Sequence, residues 1–177
     1  MSAGFSLFDT AIGRCAIAWT PDGIGAVQLP ATTEAAMRRR ILALSPGAVA
    51  QEPPSEVKAA CDLIVALLAG AAADLSGIRL DMAGVPPFHR EVYAVARRIE
   101  PGETLTYGEI AKRLGQPGAA QAVGQALGAN PFPPIVPCHR VLAKGGGMGG
   151  FSAPGGIATK RRLLAIEGVD GMRDLFD

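Results

Sequence analysis

The chain has 177 residues, enough for one large domain or two small ones, and 49% of them are hydrophobic, so it is expected to bury a sizeable core. Its most apolar run, residues 63–73, is shorter than the roughly 20 residues of a membrane-spanning helix, and the start MSAGFSLFDT lacks the basic region of a secretory signal. Three widely spaced cysteines argue against a disulfide framework and favour a reducing cytoplasmic location, while the net charge of +1 by itself indicates no class of partner.

The first half of the chain predicts a small α/β domain over residues 1–86. Three short strands are predicted in the stretches FSLFDT, GRCAIAWT and GIGAVQLP, because their apolar residues lie between turn residues such as Gly13 and Gly23. Two helices are expected over residues 33–44 and 55–69. This pattern predicts a small antiparallel sheet with helices, followed by a linker at the two prolines 86 and 87.

The chemically conspicuous residues of this half have structural interpretations. Cys15 and Cys61 lie among apolar neighbours and are interpreted as packed core thiols. The three consecutive arginines at 38–40 are interpreted as a solvated helix face rather than a binding patch.

The second half has a mild basic excess and a different pattern of elements. Residues 88–169 hold ten Lys or Arg and five Asp or Glu. Apolar residues spaced by three and four predict an amphipathic helix over 88–99. The sequence TYGE at 106–109 is a capping box that starts a second helix, which Gly115 ends. After a short turn a third helix is predicted over 119–128, and this outline is typical of a helix-turn-helix, although other αα-hairpins share it.

The third predicted helix is unusually small and uncharged. No charged residue occurs from Leu114 to His139. Its small residues are Gly118, Ala119, Ala120, Ala122, Gly124, Ala126, Gly128 and Ala129. Because a glycine costs a helix up to about 1 kcal/mol against alanine, this composition indicates a helix that comes very close either to another helix or to a narrow groove.

The stretch PPIVPCHRVL at 133–142 places Cys138 beside His139. A free thiol, with a pKa of about 8.5, needs a base or a positive potential to become a nucleophile. Adjacent residues of an extended segment point to opposite sides, so the two side chains are expected to communicate only through a bridging water, if the chain bends after Pro137. No second cysteine lies at ligand spacing and the chain has only two histidines, which excludes a metal site. A reactive thiol and a buried structural cysteine both remain open.

Glu167 and a glycine cluster follow the Cys-His pair. Glu167 ends the predicted helix IATKRRLLAIEG, where the helix dipole disfavours a carboxylate. A partner such as an imidazole would explain it and would allow a Cys–water–His–Glu relay; an exposed, frayed helix end is the alternative. The glycines at 145–147 and 149–150 lack the ending of a phosphate-binding loop and are interpreted as a flexible turn near the thiol.

With these motifs in place, the second half resembles the O6-alkylguanine-DNA alkyltransferases, also called methylated-DNA–protein-cysteine methyltransferases. The resemblance runs over about residues 87–169 and is carried in order by PFHREVYAVARRIEPGETLTYGEIAKRLG, AVGQALGANP, IVPCHRVL and LLAIEG. It implies a ribonuclease-H-like α/β domain at 1–86. A mainly α, winged-helix-like helix-turn-helix domain would follow at 87–177 and carry the Pro-Cys-His-Arg motif.

The resemblance also implies the chemistry, which is single-turnover repair of DNA. Cys138 would take the alkyl group from guanine O6, with thymine O4 as a further candidate, and would end as a stable S-alkylcysteine. His139 would remove the thiol proton through a water, and Glu167 would orient the imidazole. Tyr107 would protonate guanine N3, and Asn130 would brace the turn before the cysteine segment.

A DNA interface and a base pocket follow from the same resemblance. The second helix of the motif would enter the minor groove of double-stranded DNA, and the damaged base would be flipped into the protein. The implied DNA-binding residues are Tyr107, Gln121, Ala122, Gly124 and Arg140. The implied pocket residues are Pro137, Val141, Phe151 and Ser152, with the main chain at Cys138. No cofactor, metal, nucleotide or membrane is expected, and the protein is predicted to act as a cytoplasmic monomer.

Two departures from the family pattern matter. Gln121 stands in the context AQAVG, where the family has an arginine that fills the gap left by the flipped base. The usual Tyr-Ser-Gly-Gly pattern is replaced by FSAPGG at 151–156, which changes the expected pocket wall at Ser152. The alternative function is therefore a lesion-binding sensor like the alkyltransferase-like proteins, which lack the acceptor cysteine. A Cys-His hydrolase is a third hypothesis, and it lacks an obvious oxyanion feature.

Overall fold

The computed structural model describes residues 2–169, which form two compact units. Of these residues, the first unit contains 2–84 together with Pro131–Ile135, and the second contains Val85–Asn130 together with 136–169. The return of the chain to the first unit through 131–135 was not predicted. It is fixed by the backbone amide of Val27, which donates to the Pro131 carbonyl over 2.8 Å, and by the burial of Phe132. The predicted domain division at 86 and 87 stays a prediction.

The first unit contains a four-stranded sheet in the order β3-β2-β1-β4. Its strands are β1 Gly4–Thr10, β2 Gly13–Thr20, β3 Gly23–Gln28 and β4 Val49–Ala50. The first three are antiparallel neighbours, as predicted. The two-residue β4 pairs with β1 in parallel, so the sheet is mixed and not purely antiparallel. A parallel neighbour needs a crossover connection, and the helix between β3 and β4 supplies it.

Two helices complete the first unit, and both were predicted to within one or two residues. They are α1 Glu34–Leu44 and α2 Ser55–Leu68. The Thr33 hydroxyl caps α1 by accepting from the Ala36 amide. Met37 and Ile41 of α1 pack on small sheet residues, among them Ala16. Cys15 and Cys61 are buried, and residues 38–40 are exposed, as their interpretations required.

The second unit is mainly helical, as predicted. Its elements are α3 Pro87–Ala96, β5 Leu105–Thr106, α4 Tyr107–Arg113, α5 Ala120–Gly128, β6 Val141–Leu142 and α6 Gly156–Ile166. The helix α3 ends three residues earlier than the sequence predicted, although Ile99 is still buried. The Thr106 hydroxyl accepts from the Glu109 amide, which confirms the capping box at the start of α4.

The helix-turn-helix of the second unit is α4, a short turn and α5. The left-handed Gly115 (φ 73°) ends the first of these helices, as predicted. Behind α5, the Tyr93 hydroxyl of α3 donates to the Ala126 carbonyl over 2.7 Å and anchors the helix from its buried side. Within residues 2–169, none of the helices has the length and apolar character needed to cross a membrane.

Candidate active site

Pro137 bends the chain so that Cys138 begins a single 3-10 turn, Cys138–Arg140. The Arg140 amide donates to the Pro137 carbonyl over 2.9 Å and closes this turn. The segment is therefore not extended, and the chain bends after Pro137, which the sequence analysis had left open. Because a 3-10 helix has three residues per turn, Cys138 and His139 project about 120° apart rather than to opposite sides.

A cavity of about 570 Å³ in the second unit opens beside Cys138. Its lining comes from α5, from Tyr107 at the start of α4 and from the turn before α6. The lining residues are Tyr107, Ala120, Gln121, Gly124, Gln125, Leu127, Gly128, Cys138, Gly150, Phe151 and Ser152. The thiol therefore faces a hollow, although Cys138 itself is only 8% exposed.

The residues predicted to line the pocket divide into two groups. Phe151 and Ser152 line the cavity. Pro137 and Val141 are not among its lining residues; Val141 is fully buried, and its carbonyl accepts a hydrogen bond from Lys160. Pro137 thus shapes the turn that presents the thiol and does not itself form the wall.

The Cys138 thiol is protonated at rest. Burial raises its pKa, and a hydrogen bond from Asn130 together with the nearby charge of Lys160 only partly offsets that effect. Asn130 follows α5, and its Nδ2 also donates to the Val136 carbonyl over 2.9 Å. Asn130 therefore ties the end of α5 to the cysteine turn, and the thiol needs a base to react.

His139, the residue after Cys138, is the candidate base. Its side chain is 1% exposed, and burial lowers the pKa of the imidazole despite its contact with Glu167, so the ring is neutral at neutral pH. Its Nε2 lies 2.8 Å from Oε1 of Glu167. Since a carboxylate can only accept, Nε2 carries the proton and Nδ1 keeps a free lone pair. Nδ1 is buried and has no hydrogen-bond partner among the described residues, which makes it the atom available to take a proton.

Glu167 holds two partners at once and is not an exposed helix end. Burial alone would raise the pKa of this carboxyl, but hydrogen bonds from Arg140 and His139 outweigh it and lower the pKa to about 2. The Arg140 guanidinium binds it through both oxygens, at 2.9 Å from Nε to Oε1 and 2.6 Å from Nη2 to Oε2. Arg140 also donates to the Ile99 carbonyl over 2.6 Å.

This network changes the role expected for Arg140. The sequence predicted a DNA contact for it, but its side chain is 7% exposed and its guanidinium is bound to Glu167 and Ile99. We therefore withdraw Arg140 from the DNA-binding residues. Its basic charge is used inside the protein, where it keeps Glu167 ionised beside His139.

The residues expected at the DNA interface lie mainly on one side of α5. Gln121 and Gly124 line the cavity, whereas Ala122 does not. A Cβ at Gly124 would lie 3.8 Å from the Tyr107 ring, so any larger side chain there would fill the space in front of the tyrosine.

Lys160 is the site residue that the sequence analysis missed. It is fully buried, and its Nζ donates to the carbonyls of Val141 (2.6 Å), Met148 (2.5 Å) and Gly150 (3.3 Å). The run KRR in α6 is typical of a solvated helix face, so this run did not indicate that Lys160 is buried. The spacing of α6 does indicate this burial, because Lys160 lies three and four residues before Leu163 and Leu164, on the buried face of the helix.

Comparison with known proteins decides the family. The protein-family sequence model for the DNA-binding domain of 6-O-methylguanine DNA methyltransferase matches residues 87–169. The methylated-DNA–protein-cysteine methyltransferase of Mycolicibacterium paratuberculosis is 42% identical over 116 residues, which are 66% of this chain and 68% of that protein. This chain belongs to the methylated-DNA–protein-cysteine methyltransferase family. The enzyme of Methanothermobacter thermautotrophicus is 41% identical over 117 residues, and that of Shigella flexneri is 48% identical over 85.

The alignments with the methyltransferases of M. thermautotrophicus and S. flexneri span 64% and 48% of those proteins.

Solved structures of the family match over almost the whole chain. Mycobacterium tuberculosis OGT in complex with DNA is 33% identical with a TM-score of 0.74, covering 98% of this chain and 99% of that one. The O6-methylguanine-DNA methyltransferase of Pyrococcus kodakaraensis is 28% identical with a TM-score of 0.73, covering 94% and 99%. Both units therefore have the fold of the methyltransferase family.

Proposed function

We propose that the protein repairs alkylated DNA by moving an alkyl group, methyl in the simplest case, from guanine O6 to Sγ of Cys138. The observation that carries this proposal is a cavity that reaches a buried thiol, followed in the chain by a neutral histidine whose Nδ1 has no hydrogen-bond partner within residues 2–169. Guanine O6 is the proposed main substrate position and thymine O4 a second one. We expect the protein to act in the cytoplasm, as a monomer and without a cofactor.

In the proposed reaction the bond from sulfur to the alkyl carbon forms as the bond from that carbon to O6 breaks. The thiol proton passes through a water to Nδ1 of His139, and Glu167 stabilises the resulting imidazolium. The electron pair of the broken bond stays on the guanine, and the Tyr107 hydroxyl supplies a proton to N3. Protons balance once His139 and Tyr107 exchange theirs with solvent. Because the thioether is stable, each molecule reacts once.

The proposed DNA complex has α5 in the minor groove and the damaged base flipped into the cavity. Small residues suit this task, since the minor groove is only about 6 Å wide. Three of them, Ala120, Gly124 and Gly128, lie on the side of α5 that lines the cavity. The relative from M. tuberculosis was crystallised with DNA, which supports DNA as the partner.

Intact-mass spectrometry tests the proposed function. After mixing with a duplex oligonucleotide that carries O6-methylguanine, the protein should gain the mass of one methylene group on the peptide that contains Cys138. An unchanged mass combined with tight binding of the lesion would favour the sensor function instead. The observation that keeps the sensor as a second candidate is Gln121, which is exposed at the cavity and brings no charge to DNA.

The variant Gln121→Arg is expected to repair duplex DNA faster than the wild type. An arginine at this position of α5 can fill the gap of the flipped base and bind the phosphate backbone, and one added charged hydrogen bond corresponds to roughly a tenfold gain in rate. The measurement is the single-turnover rate on duplex and on single-stranded oligonucleotides.

Gln125→Arg is the matched control for this prediction. It adds the same charge to the same cavity-lining side of α5, one turn later. Equal gains for both variants would show simple electrostatic attraction, and no gain for Gln121→Arg would exclude Gln121 as the residue that replaces the flipped base.

A further inference from the structure

Lys160 is a buried cation whose one effect on the site described so far is to offset in part the raised pKa of the Cys138 thiol. Within residues 2–169, no carboxylate pairs with it, and carbonyl oxygens satisfy its ammonium group instead. An ammonium group loses much hydration free energy on burial, so an unpaired lysine is placed at a large cost. That cost indicates a task beyond packing, because an apolar side chain would fill the same volume on α6.

The ammonium group of Lys160 contacts the Tyr107 hydroxyl. Its Nζ lies 3.5 Å from the phenolic oxygen and 5.7 Å from the centre of the ring. An ammonium group has only donors, so the tyrosine oxygen is the acceptor. The backbone of Gly150 also forms a hydrogen bond to this oxygen, one that lowers the pKa of Tyr107 against the raising effect of burial. With its oxygen occupied from two sides, Tyr107 has its own proton free to donate elsewhere.

The turn that Lys160 holds also fixes the position of this hydroxyl. Gly149 is in the left-handed region (φ 67°), and a Cβ there would collide with the Tyr107 oxygen. The carbonyls on either side of it, at Met148 and Gly150, both accept from Lys160. One side chain therefore secures the turn at two carbonyls and contacts the hydroxyl that the turn packs against.

We propose that Lys160 is a positioning residue for alkyl transfer, which acts by directing the Tyr107 proton into the cavity and by fixing the turn 148–150 against it. The proposal rests on the proposed function, because it assigns to Tyr107 the protonation of the leaving guanine. A purely structural lysine would stabilise the fold without any coupling to Tyr107.

The first test compares two reactions of the same thiol. Lys160→Met should slow methyl transfer from O6-methylguanine DNA by about 10- to 100-fold, the range expected for a lost charged hydrogen bond. Its reaction with iodoacetamide should slow less, by only the part that the charge of Lys160 contributes to the thiol pKa, since iodide leaves without a proton from Tyr107. Lys144→Met, which removes an exposed lysine close to the same turn, is the matched control and should change neither rate.

A double-mutant cycle with Tyr107→Phe tests the coupling directly. If Lys160 acts through Tyr107, Lys160→Met should lower the rate of methyl transfer by a much smaller factor in the Tyr107→Phe background than in the wild type. If Lys160→Met lowers the methyl-transfer rate by the same factor in both backgrounds, the proposal is overturned. Circular dichroism of each variant establishes that it is folded.

The pH dependence gives a second readout that survives if Lys160→Met fails to fold. Three titratable groups face Lys160: Cys138, His139 and Tyr107. The ratio of methyl transfer to iodoacetamide reaction cancels the titration of Cys138 and His139, which both reactions share. Burial lowers the pKa of Lys160 to about 8, whereas the pKa of Tyr107 is raised above its usual 10. The wild-type ratio should therefore fall as the pH rises through about 8.

The variant Lys160→Arg should lose this fall, because a guanidinium stays protonated throughout the range. A wild-type ratio that is flat across pH 8, or a fall that persists in Lys160→Arg, would overturn the proposal. The proposed function fails differently, since the wild type would then transfer no methyl group while still reacting with iodoacetamide.

Discussion

The Cys138→Ala protein is expected to show no alkyl transfer at all. The other two thiols cannot replace it, because burial raises the pKa of both Cys15 and Cys61 to about 12 and neither lies in the second unit. Loss of the nucleophile removes the covalent step, so no change in mass should follow incubation with O6-methylguanine DNA. The measurement is intact mass after a long incubation, with the oligonucleotide in excess over the protein.

The binding of DNA separates loss of chemistry from loss of structure in this variant. Because Cys138 contributes a small side chain at the end of the cavity, Cys138→Ala should still bind the oligonucleotide, and its complex with the lesion should persist. Cys61→Ala is the matched control: it truncates another buried thiol to the same residue and should keep full transfer. Transfer that survives in Cys138→Ala would disprove the proposed acceptor.

The helices of both units and the three long strands could be predicted because local signals agreed with the tertiary structure. The alternating strands, the Thr33 and Thr106 caps and the glycine that ends α4 all act within a few residues. The strand β4 could not be predicted, since two exposed residues, Val49 and Ala50, carry no pattern and pair only because β1 has a free edge.

The candidate site was predictable as a set of residues but not as a network. Sequence placed Cys138, His139 and Glu167 together through the family resemblance, and the structure brings the last two within hydrogen-bond distance. The same resemblance assigned Arg140 to the DNA interface. The 3-10 turn after Pro137 reverses this expectation, since it turns the guanidinium inward to a carboxylate 27 residues later in the chain.

Lys160 shows a further limit of sequence analysis. Its neighbours Arg161 and Arg162 are exposed, so a run of three basic residues hides one that is fully buried. Its ammonium group is satisfied there by carbonyl oxygens of β6 and the turn 148–150. A backbone carbonyl is the same whichever residue supplies it. The sequence therefore gives no sign of the oxygens that bind this lysine, and only the structure shows them.

The variant Glu167→Gln should lower both the stability and the activity of the protein. The substitution keeps the size of the side chain but leaves the buried Arg140 guanidinium without an anion, which costs about 3 kcal/mol or more. It also removes the charge that would stabilise a protonated His139, so methyl transfer should slow by roughly 10- to 100-fold. Chemical denaturation and single-turnover rates measure the two effects.

The acid dependence of stability identifies the source of this loss. The folded-state pKa of Glu167 is about 2, below its usual 4.5, so its stabilisation is complete above pH 4.5 and is lost as the pH falls towards 2. A glutamine does not titrate, so the gap between wild type and Glu167→Gln should be constant above pH 4.5 and shrink below it. The wild-type contribution from this shift is about 3 kcal/mol.

Glu103→Gln is the matched control, since it removes an exposed carboxylate from the same unit and should leave stability and rate unchanged. Burial also lowers the pKa of His139, so this group makes the fold sensitive to acid below its usual 6.5 in both proteins. Because Glu167 raises this pKa in the wild type only, the two proteins are compared in a His139→Gln background, where this histidine no longer titrates. If the two denaturation curves keep the same separation down to pH 2, Glu167 is not ionised in the folded protein, and the assignment of His139 as a neutral base held by a carboxylate fails.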